Sequence, residues 1–133
     1  MRYLLDTHTF LWALTAPNRL SRKVGQIIGE PTHELFLSVV SIWEVAIKLR
    51  SGRLDLQGRT AIDLLDEAEG MSVQLINLEP YEVATHGNLA ENTHFDPFDR
   101  MLIWQAIQRN MTLISGDKEF ERFAADGLKL LWK

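Results

Sequence analysis

Residues 96–106 read Asp96-Pro97-Phe98-Asp99-Arg100-Met101-Leu102-Ile103-Trp104-Gln105-Ala106, and the rest of the chain is organised around them. They place two carboxylates at the start of an apolar helix. Proline is tolerated in a first helical turn, so Asp96 is predicted as the N-cap and Pro97 as the first helical residue. Asp99 then lies in the first turn, where the helix dipole favours a negative charge. Capping accounts for either acid alone, so the other acids of the chain decide between capping and chemistry.

The composition is that of an ordinary globular protein, with 46% hydrophobic and 24% charged residues. A length of 133 residues predicts one domain, residues 1–133, large enough to bury a core. The chain has no cysteine, which excludes disulfides and cysteine-ligated zinc. A carboxylate at Asp6 interrupts the N-terminus too early for a signal peptide, and no apolar run is long enough to span a bilayer. A cytoplasmic protein without membrane contact is therefore expected.

The net charge of −4 is unfavourable for a nucleic-acid protein, because phosphate binding usually needs an excess of lysine and arginine. That objection weakens if several acids are clustered and neutralised by a metal. Basic residues do occur in two local groups, although surface solvation is enough to explain both. These groups are Arg19, Arg22 and Lys23, and Lys48, Arg50 and Arg53.

Short apolar runs alternate with helical patterns along the whole chain. The predicted strands are residues 3–5, 35–40, 73–78, 111–114 and 128–131. The predicted helices are residues 9–14, 21–28, 41–49, 61–68, 80–89, 97–109 and 120–125. This alternation predicts an α/β fold with a mainly parallel five-stranded sheet.

Four acids are predicted to meet at one edge of that sheet, because sites in open α/β sheets form outside the carboxyl ends of the strands. Asp6 ends the first strand, and Asp117 follows the fourth. Glu44 and Asp99 are each predicted in the first turn of a helix next to a strand. Oxygen ligands without cysteine or histidine suit Mg²⁺ or Mn²⁺. These cations in turn suit hydrolysis of phosphodiesters by an activated water.

Each of these acids also has a purely structural explanation. Glu44 completes a Ser-x-x-Glu capping box that begins at Ser41. Asp117 is able to cap the helix of residues 120–125, and Asp6 to bond nearby backbone N–H groups. Glu44 is the most informative, since it is surrounded by apolar residues, where a charge is usually paired or bound to a metal. The structural explanations do not account for the convergence of all four acids.

Four segments resemble PIN-domain proteins, and most closely the VapC-type toxins of bacterial type II toxin–antitoxin systems. They are Leu4-Leu5-Asp6-Thr7, Ser41-Ile42-Trp43-Glu44-Val45-Ala46-Ile47-Lys48, Asp96-Pro97-Phe98-Asp99-Arg100-Met101-Leu102-Ile103 and Ile114-Ser115-Gly116-Asp117. The segments follow the family's order and span nearly the whole chain. Each is weak alone, but the combination is specific.

The resemblance implies a three-layer α/β/α sandwich and an endoribonuclease that depends on Mg²⁺ or Mn²⁺. The implied metal and catalytic residues are Asp6, Glu44, Asp99 and Asp117, supported by the hydroxyls of Thr7 and Ser115. Ser115 departs from the threonine that the family often has two residues before its last acid. The implied partners are an RNA substrate, a cognate antitoxin protein and a second copy of the chain.

Other residues are weaker candidates. Arg100 and Lys48 are able to contact a substrate phosphate, although Arg100 is equally able to pair with Asp96. The tryptophans at positions 12, 43, 104 and 132 could stack on bases, but Trp43 and Trp104 lie in apolar helical stretches typical of core or dimer contacts. The four histidines, at positions 8, 33, 86 and 94, lack zinc-ligand spacing and are expected at the surface or in caps. The exception is His94, which is close to Asp96 and Asp99.

Three alternatives remain. A non-catalytic PIN-like interaction module is disfavoured because it should have lost one of the acids. A PIN nuclease of RNA processing would keep the chemistry without a toxin role. A phosphoacceptor response domain would need an acid pair after the first strand, and this chain has only Asp6 there.

Overall fold

The computed structural model describes residues 1–133 and has a five-stranded sheet in which every neighbouring pair of strands is parallel. The strand order is β3-β2-β1-β4-β5, so the first strand lies in the centre. The strands are β1 (Arg2–Leu5), β2 (Glu34–Ser38), β3 (Val73–Ile76), β4 (Thr112–Ile114) and β5 (Lys129–Leu131). The predicted parallel five-stranded sheet is confirmed.

Helices connect consecutive strands. The α-helices are α1 (Thr7–Thr15), α2 (Arg22–Gly29), α3 (Val39–Arg50), α4 (Asp63–Gly70), α5 (Pro80–Thr85) and α6 (Pro97–Gln108). Shorter 3₁₀ segments cover Pro17–Arg19, His86–Asn88 and Lys118–Asp126. No helix is both long and apolar enough to cross a membrane.

The core lies on both faces of the sheet, because successive residues of a strand point to opposite sides. Leu5 of β1 belongs to a cluster that includes Phe10 of α1 and Leu64 of α4. Leu4, the preceding residue, belongs to a second cluster that includes Ile103 of α6. Helices therefore cover the sheet on both sides, which confirms the three-layer α/β/α arrangement.

The second strand is shorter than predicted, since Val39 and Val40 belong to α3. Ser38 has an extended backbone and caps this helix, with its Oγ accepting a hydrogen bond from the Val40 N–H at 3.1 Å. Burial of Val40 against the core outweighs its preference for a strand. Glu44 consequently lies in the second turn and not the first, and the capping box with Ser41 is wrong.

The segment after β4 also differs from the prediction, because Lys118–Asp126 is a 3₁₀ helix that begins two residues before the predicted helix. Asp117 is its N-cap and accepts a hydrogen bond from the Glu119 N–H at 2.9 Å. The segment ends at Gly127, whose φ of +98° suits a residue without Cβ. The structural explanation of Asp117 as a cap is therefore correct, without excluding a second role.

Candidate active site

A cleft of about 440 Å³ opens at the carboxyl end of the central strands. Six acids line it: Asp6, Glu44, Asp55, Asp96, Asp99 and Asp117. The structure thus brings together the four acids singled out in the sequence and adds Asp55 and Asp96. As predicted, Asp96 caps α6, with its Oδ1 accepting a hydrogen bond from the Asp99 N–H at 2.9 Å.

Asp6 is held at the end of β1 by three donors. Its Oδ1 accepts from the Thr7 N–H at 2.8 Å, so Asp6 is also the N-cap of α1. Its Oδ2 accepts from the Ser115 hydroxyl at 2.7 Å and lies 3.0 Å from Nδ1 of His8. The residue is only 3% exposed. The fold therefore fixes the orientation of this carboxylate.

Glu44 reaches the same cleft from α3 and is also buried. Thr7 Oγ1 lies 2.8 Å from both Glu44 Oε1 and Ser41 Oγ. Because a carboxylate only accepts, Thr7 donates to Glu44 and accepts from Ser41. Lys48 Nζ, one helical turn along α3, lies 2.7 Å from Glu44 Oε2. Thr7 therefore supports Glu44 through its side chain, and Lys48 balances the Glu44 charge.

Asp99 lies in the first turn of α6, as predicted, and its Oδ2 is 2.9 Å from Nε2 of His94. The His94 ring is buried and packs edge-on against Phe120 and Phe123. Its other nitrogen lies 3.4 Å from Glu119 Oε2. The exception made for His94 among the histidines is therefore correct, because it positions an acid of the cleft.

The pKa of Asp99 reflects both its burial and the negative charges of the neighbouring acids. Burial, together with the charges of Asp6, Asp96 and Glu44, raises the pKa of Asp99 to about 7, although the hydrogen bond from His94 opposes the shift. Like charges held at a partly buried site disfavour ionisation of each member. A divalent cation in the cleft would relieve this repulsion.

Ser115, Gly116 and Asp117 connect β4 to the cleft. Ser115 Oγ donates to Asp6 and accepts from the Asp117 N–H at 3.1 Å. The Gly116 N–H donates to Nε2 of His8 at 3.2 Å. Ser115 therefore supports both acids at this edge.

His8 belongs to the site, which the sequence analysis missed when it placed this residue at the surface or in a cap. Burial lowers the pKa of His8, but the hydrogen bond and charge of Asp6, with smaller contributions from Asp117 and Asp99, outweigh it and raise the pKa above the usual value. The feature of the sequence that could have identified His8 is its position, because it lies two residues after Asp6 in the first turn of a helix capped by that acid.

The donor set suits a hard cation, because the acids supply only oxygen ligands. No three of the histidine, aspartate and glutamate side chains are grouped closely enough to enclose a metal ion by themselves. Mg²⁺ does not require such an enclosure, since it usually keeps several waters and binds through one or two carboxylates. The cleft therefore fits a partly hydrated Mg²⁺ or Mn²⁺ better than a fully protein-coordinated ion.

Arg100 does not line the cleft. Its guanidinium donates to the carbonyls of Glu91 at 2.7 Å and of His94 at 3.0 Å, and lies over the Phe123 ring. The alternative pairing with Asp96 is wrong, because the carboxylate that it approaches, at 4.0 Å, is that of Glu91. Arg100 thus holds the loop that carries His94.

The tryptophans fall into two groups. Trp12 lines the cleft, and Trp132 packs edge-on against it, with ring centres 5.9 Å apart. Trp104 is buried, as expected of a core residue, and donates to Thr85 Oγ1. Trp43 is not a core residue, since it is 58% exposed beside the Phe98 ring.

Gly116 offers a test of how tightly this edge is packed, because a Cβ there would lie 2.9 Å from a ring carbon of Trp132. We expect Gly116→Ala to lower the free energy of unfolding by about 1–3 kcal/mol, as overpacking does. The matched control is Gly25→Ala in α2, where a Cβ would meet no atom within 4 Å. That change should stabilise the protein by about 0.5–1 kcal/mol. Urea unfolding measures both, and equal effects would contradict the packing.

Comparison with known proteins agrees with this geometry. A sequence model of the PIN domain matches residues 3–126, which include all six acids of the cleft. The chain belongs to the PIN-domain family. It is also 30% identical over 117 residues to Ribonuclease VapC22 of Mycobacterium tuberculosis, a match that covers 86% of each protein. The similarity to VapC-type PIN domains predicted from the sequence is therefore confirmed.

Solved VapBC structures share the fold. The structure of VapBC2 from Rickettsia felis, bound to a DNA fragment from its promoter, matches with a TM-score of 0.73 and 17% identity over 100% of both chains. VapBC-1 from nontypeable Haemophilus influenzae matches with a TM-score of 0.68 and 21% identity, over 98% of this chain and 97% of that one. These likenesses establish the architecture of the PIN domain.

Proposed function

We propose that this PIN domain is an endoribonuclease that depends on Mg²⁺ or Mn²⁺ and serves as the toxin of a toxin–antitoxin pair. The observation that carries the proposal is the single cleft, at the end of the central strands, that is lined by Asp6, Glu44, Asp99 and Asp117. The similarity to a protein named as a ribonuclease supports the choice of RNA as the substrate.

Asp6, Glu44 and Asp99 would hold the partly hydrated cation, directly or through its bound waters, and Asp117 would complete the site or orient the attacking water. Bound there, the cation supplies an activated water and neutralises charge on the scissile phosphate. The protein contributes a fixed arrangement of oxygens, since Ser115 orients Asp6, Thr7 orients Glu44 and His94 orients Asp99. Such supporting hydrogen bonds hold ligands in their productive orientation.

Lys48 is a candidate for contact with the RNA substrate. Its ammonium lies 2.7 Å from Glu44 and lines the cleft, so it could approach a phosphate next to the acids. Its charge is shared with Glu44, however, which weakens its attraction for RNA. Arg100 is a poor candidate, because its guanidinium is engaged by backbone carbonyls.

The proposed partners are a cognate antitoxin protein and a second copy of the chain. The VapBC complexes of Rickettsia felis and Haemophilus influenzae support the first, since they share this fold along nearly the whole chain. A basic antitoxin side chain would fit among the acids, because an arginine fork matches carboxylates. The exposed Trp43 is available for contact with either partner.

A role in RNA processing without toxicity is the second candidate function. It requires the same cleft and the same chemistry, so the geometry does not distinguish it from a toxin. A non-catalytic module is less well supported, because all four acids are present and oriented by hydrogen bonds. Growth of cells that express the protein alone separates the first two roles.

Metal dependence is the direct test of the proposed chemistry. Purified protein is expected to cleave single-stranded RNA with Mg²⁺ or Mn²⁺ and to lose this activity in EDTA, because without a cation the acids repel the scissile phosphate and no metal-bound water is available for attack. Readdition of Mg²⁺ in excess of the chelator should restore cleavage. Undiminished cleavage in EDTA would contradict the proposal.

A further inference from the structure

The cleft extends beyond the acids along helix α1. Its far end is lined by Trp12, Thr15, Ala16 and Arg19. Asp6 caps the start of α1, and Trp12 follows six residues later, about 9 Å along the helix axis at 1.5 Å per residue. This end of the cleft therefore lies beside the acids and not among them.

Arg19 is held in place at this end by an aromatic platform. Its guanidinium carbon lies 4.3 Å from the centre of the Trp12 ring, within the range of a cation–π contact. The Trp12 ring is itself fixed by contacts with His8, at 4.8 Å between ring centres, and with Trp132. Arg19 ends the short 3₁₀ segment Pro17–Arg19, which brings the chain back towards α1. The guanidinium therefore rests against a packed ring although the residue is exposed.

Arg19 has no anionic partner within the protein. Lys48, in the same cleft, forms an ion pair with Glu44 at 2.7 Å. The Arg19 side chain forms no ion pair and no hydrogen bond, and its guanidinium contacts the Trp12 ring instead. Asp55 lines the same cleft, but its carboxylate accepts from the Gln57 N–H. In a cleft rich in acids, one arginine packed on a tryptophan ring thus keeps all its donors free.

We propose that Arg19 binds a phosphate of the RNA strand next to the scissile one, and so places the strand along α1; this inference rests on the proposed ribonuclease function. A guanidinium fork matches phosphate oxygens and is less strongly hydrated than an ammonium, so it binds phosphate with little loss of order. A phosphate is favoured over a stacked base because the guanidinium already covers the Trp12 ring. A cation here also offsets the repulsion between RNA and a protein of net charge −4.

The test measures binding of a fluorescein-labelled single-stranded RNA in EDTA, by anisotropy over a range of salt concentrations. Arg19→Ala is expected to weaken RNA binding about tenfold, which is the loss expected when one hydrogen bond between charged groups is removed. The slope of log K against log salt should fall by about 0.7, because one phosphate contact on a single strand is lost. The matched control is Arg22→Ala, an exposed arginine of α2 outside the cleft, which should leave affinity and slope unchanged.

Trp12→Leu separates the platform from the charge. It should weaken binding while leaving the salt slope unchanged, since the positive charge of Arg19 remains; a thermal melt checks that the variant is folded. In Mg²⁺, Arg19→Ala should raise KM for RNA cleavage without changing kcat. The reason is that a contact to a neighbouring phosphate stabilises the bound RNA and the transition state equally.

Equal affinity and slope for the Arg19 and Arg22 variants, with an unchanged KM, would overturn the inference. An unchanged RNA affinity of Trp12→Leu would overturn the role of the aromatic platform. So would a fall in the salt slope of Trp12→Leu as large as that of Arg19→Ala. A wild-type protein that binds RNA but never cleaves it would refute the proposed function, while the binding measurements still decide the role of Arg19.

Discussion

Asp6→Asn is expected to lower the rate of RNA cleavage about a thousandfold while leaving the protein folded. Asn keeps the size of the side chain and serves as well as Asp at a helix N-cap, so α1 should retain its start. The lost charge removes a ligand of the proposed cation, whose stabilisation of the transition state is worth several kcal/mol. At 1.36 kcal/mol per factor of ten, that loss corresponds to about three orders of magnitude.

The matched control for this variant is Asp55→Asn, which makes the same change at an exposed acid of the same cleft that is no candidate ligand. Cleavage by Asp55→Asn should remain within a few-fold of wild type. In cells, expression of the wild type alone is expected to arrest growth, and Asp6→Asn should relieve the arrest. If the folded Asp6 variant cleaves RNA as fast as the Asp55 variant, the cleft is not the active site.

Asp99→Asn is expected to raise the melting temperature of the metal-free protein at pH 8. The charges of Asp6, Asp96 and Glu44, added to burial, raise the pKa of Asp99 to about 7. An ionised Asp99 therefore destabilises the fold, and a neutral amide of the same shape removes this cost. A gain of at least about 1 kcal/mol is expected, given the size of the shift, which corresponds to an increase of roughly 4 °C or more at this chain length.

The pH dependence of this difference has a definite sign. The pKa of Asp99 is raised in the folded state above its usual value of 3.8, so the folded state binds a proton more readily than the unfolded state. The penalty of ionisation is complete above about pH 7, shrinks as the pH falls below 7, and disappears near the unfolded pKa. The melting temperatures of wild type and Asp99→Asn should therefore converge between about pH 7 and pH 4.

Mg²⁺ should reduce the difference in melting temperature between wild type and Asp99→Asn. A cation that binds the folded state alone stabilises it by mass action, so wild type should gain more from Mg²⁺ than Asp99→Asn does. Asp55→Asn serves again as the control and should respond to Mg²⁺ like wild type. A pure capping role forecasts the reverse, since loss of a charge at a helix N-terminus costs about 0.3–1 kcal/mol. A lower melting temperature for Asp99→Asn in EDTA, with an equal response to Mg²⁺, would establish that role.

The sequence by itself determined the order of elements, the parallel sheet and the edge at which the acids meet. Apolar runs such as Tyr3-Leu4-Leu5 are bounded by turn residues and alternate with helical patterns, and parallel strands place their carboxyl ends together. The start of α6 was equally predictable, because Asp96 and Pro97 occupy positions that local backbone chemistry dictates. These features depend on short-range preferences, which the residue order records directly.

Only the tertiary structure decided where β2 gives way to α3 and which side chains hold the acids. Burial of Val40 outweighed its strand propensity and moved the start of the helix to Val39. The bond from Ser115 to Asp6 joins residues 109 positions apart. The role of His8 depends on the Gly116 N–H, which lies 108 positions away along the chain. The Trp12 ring that carries Arg19 packs against Trp132, which follows the last strand of the sheet. Hydrogen bonds and stacking between distant segments depend on distances in space, and no local pattern of residues records those distances.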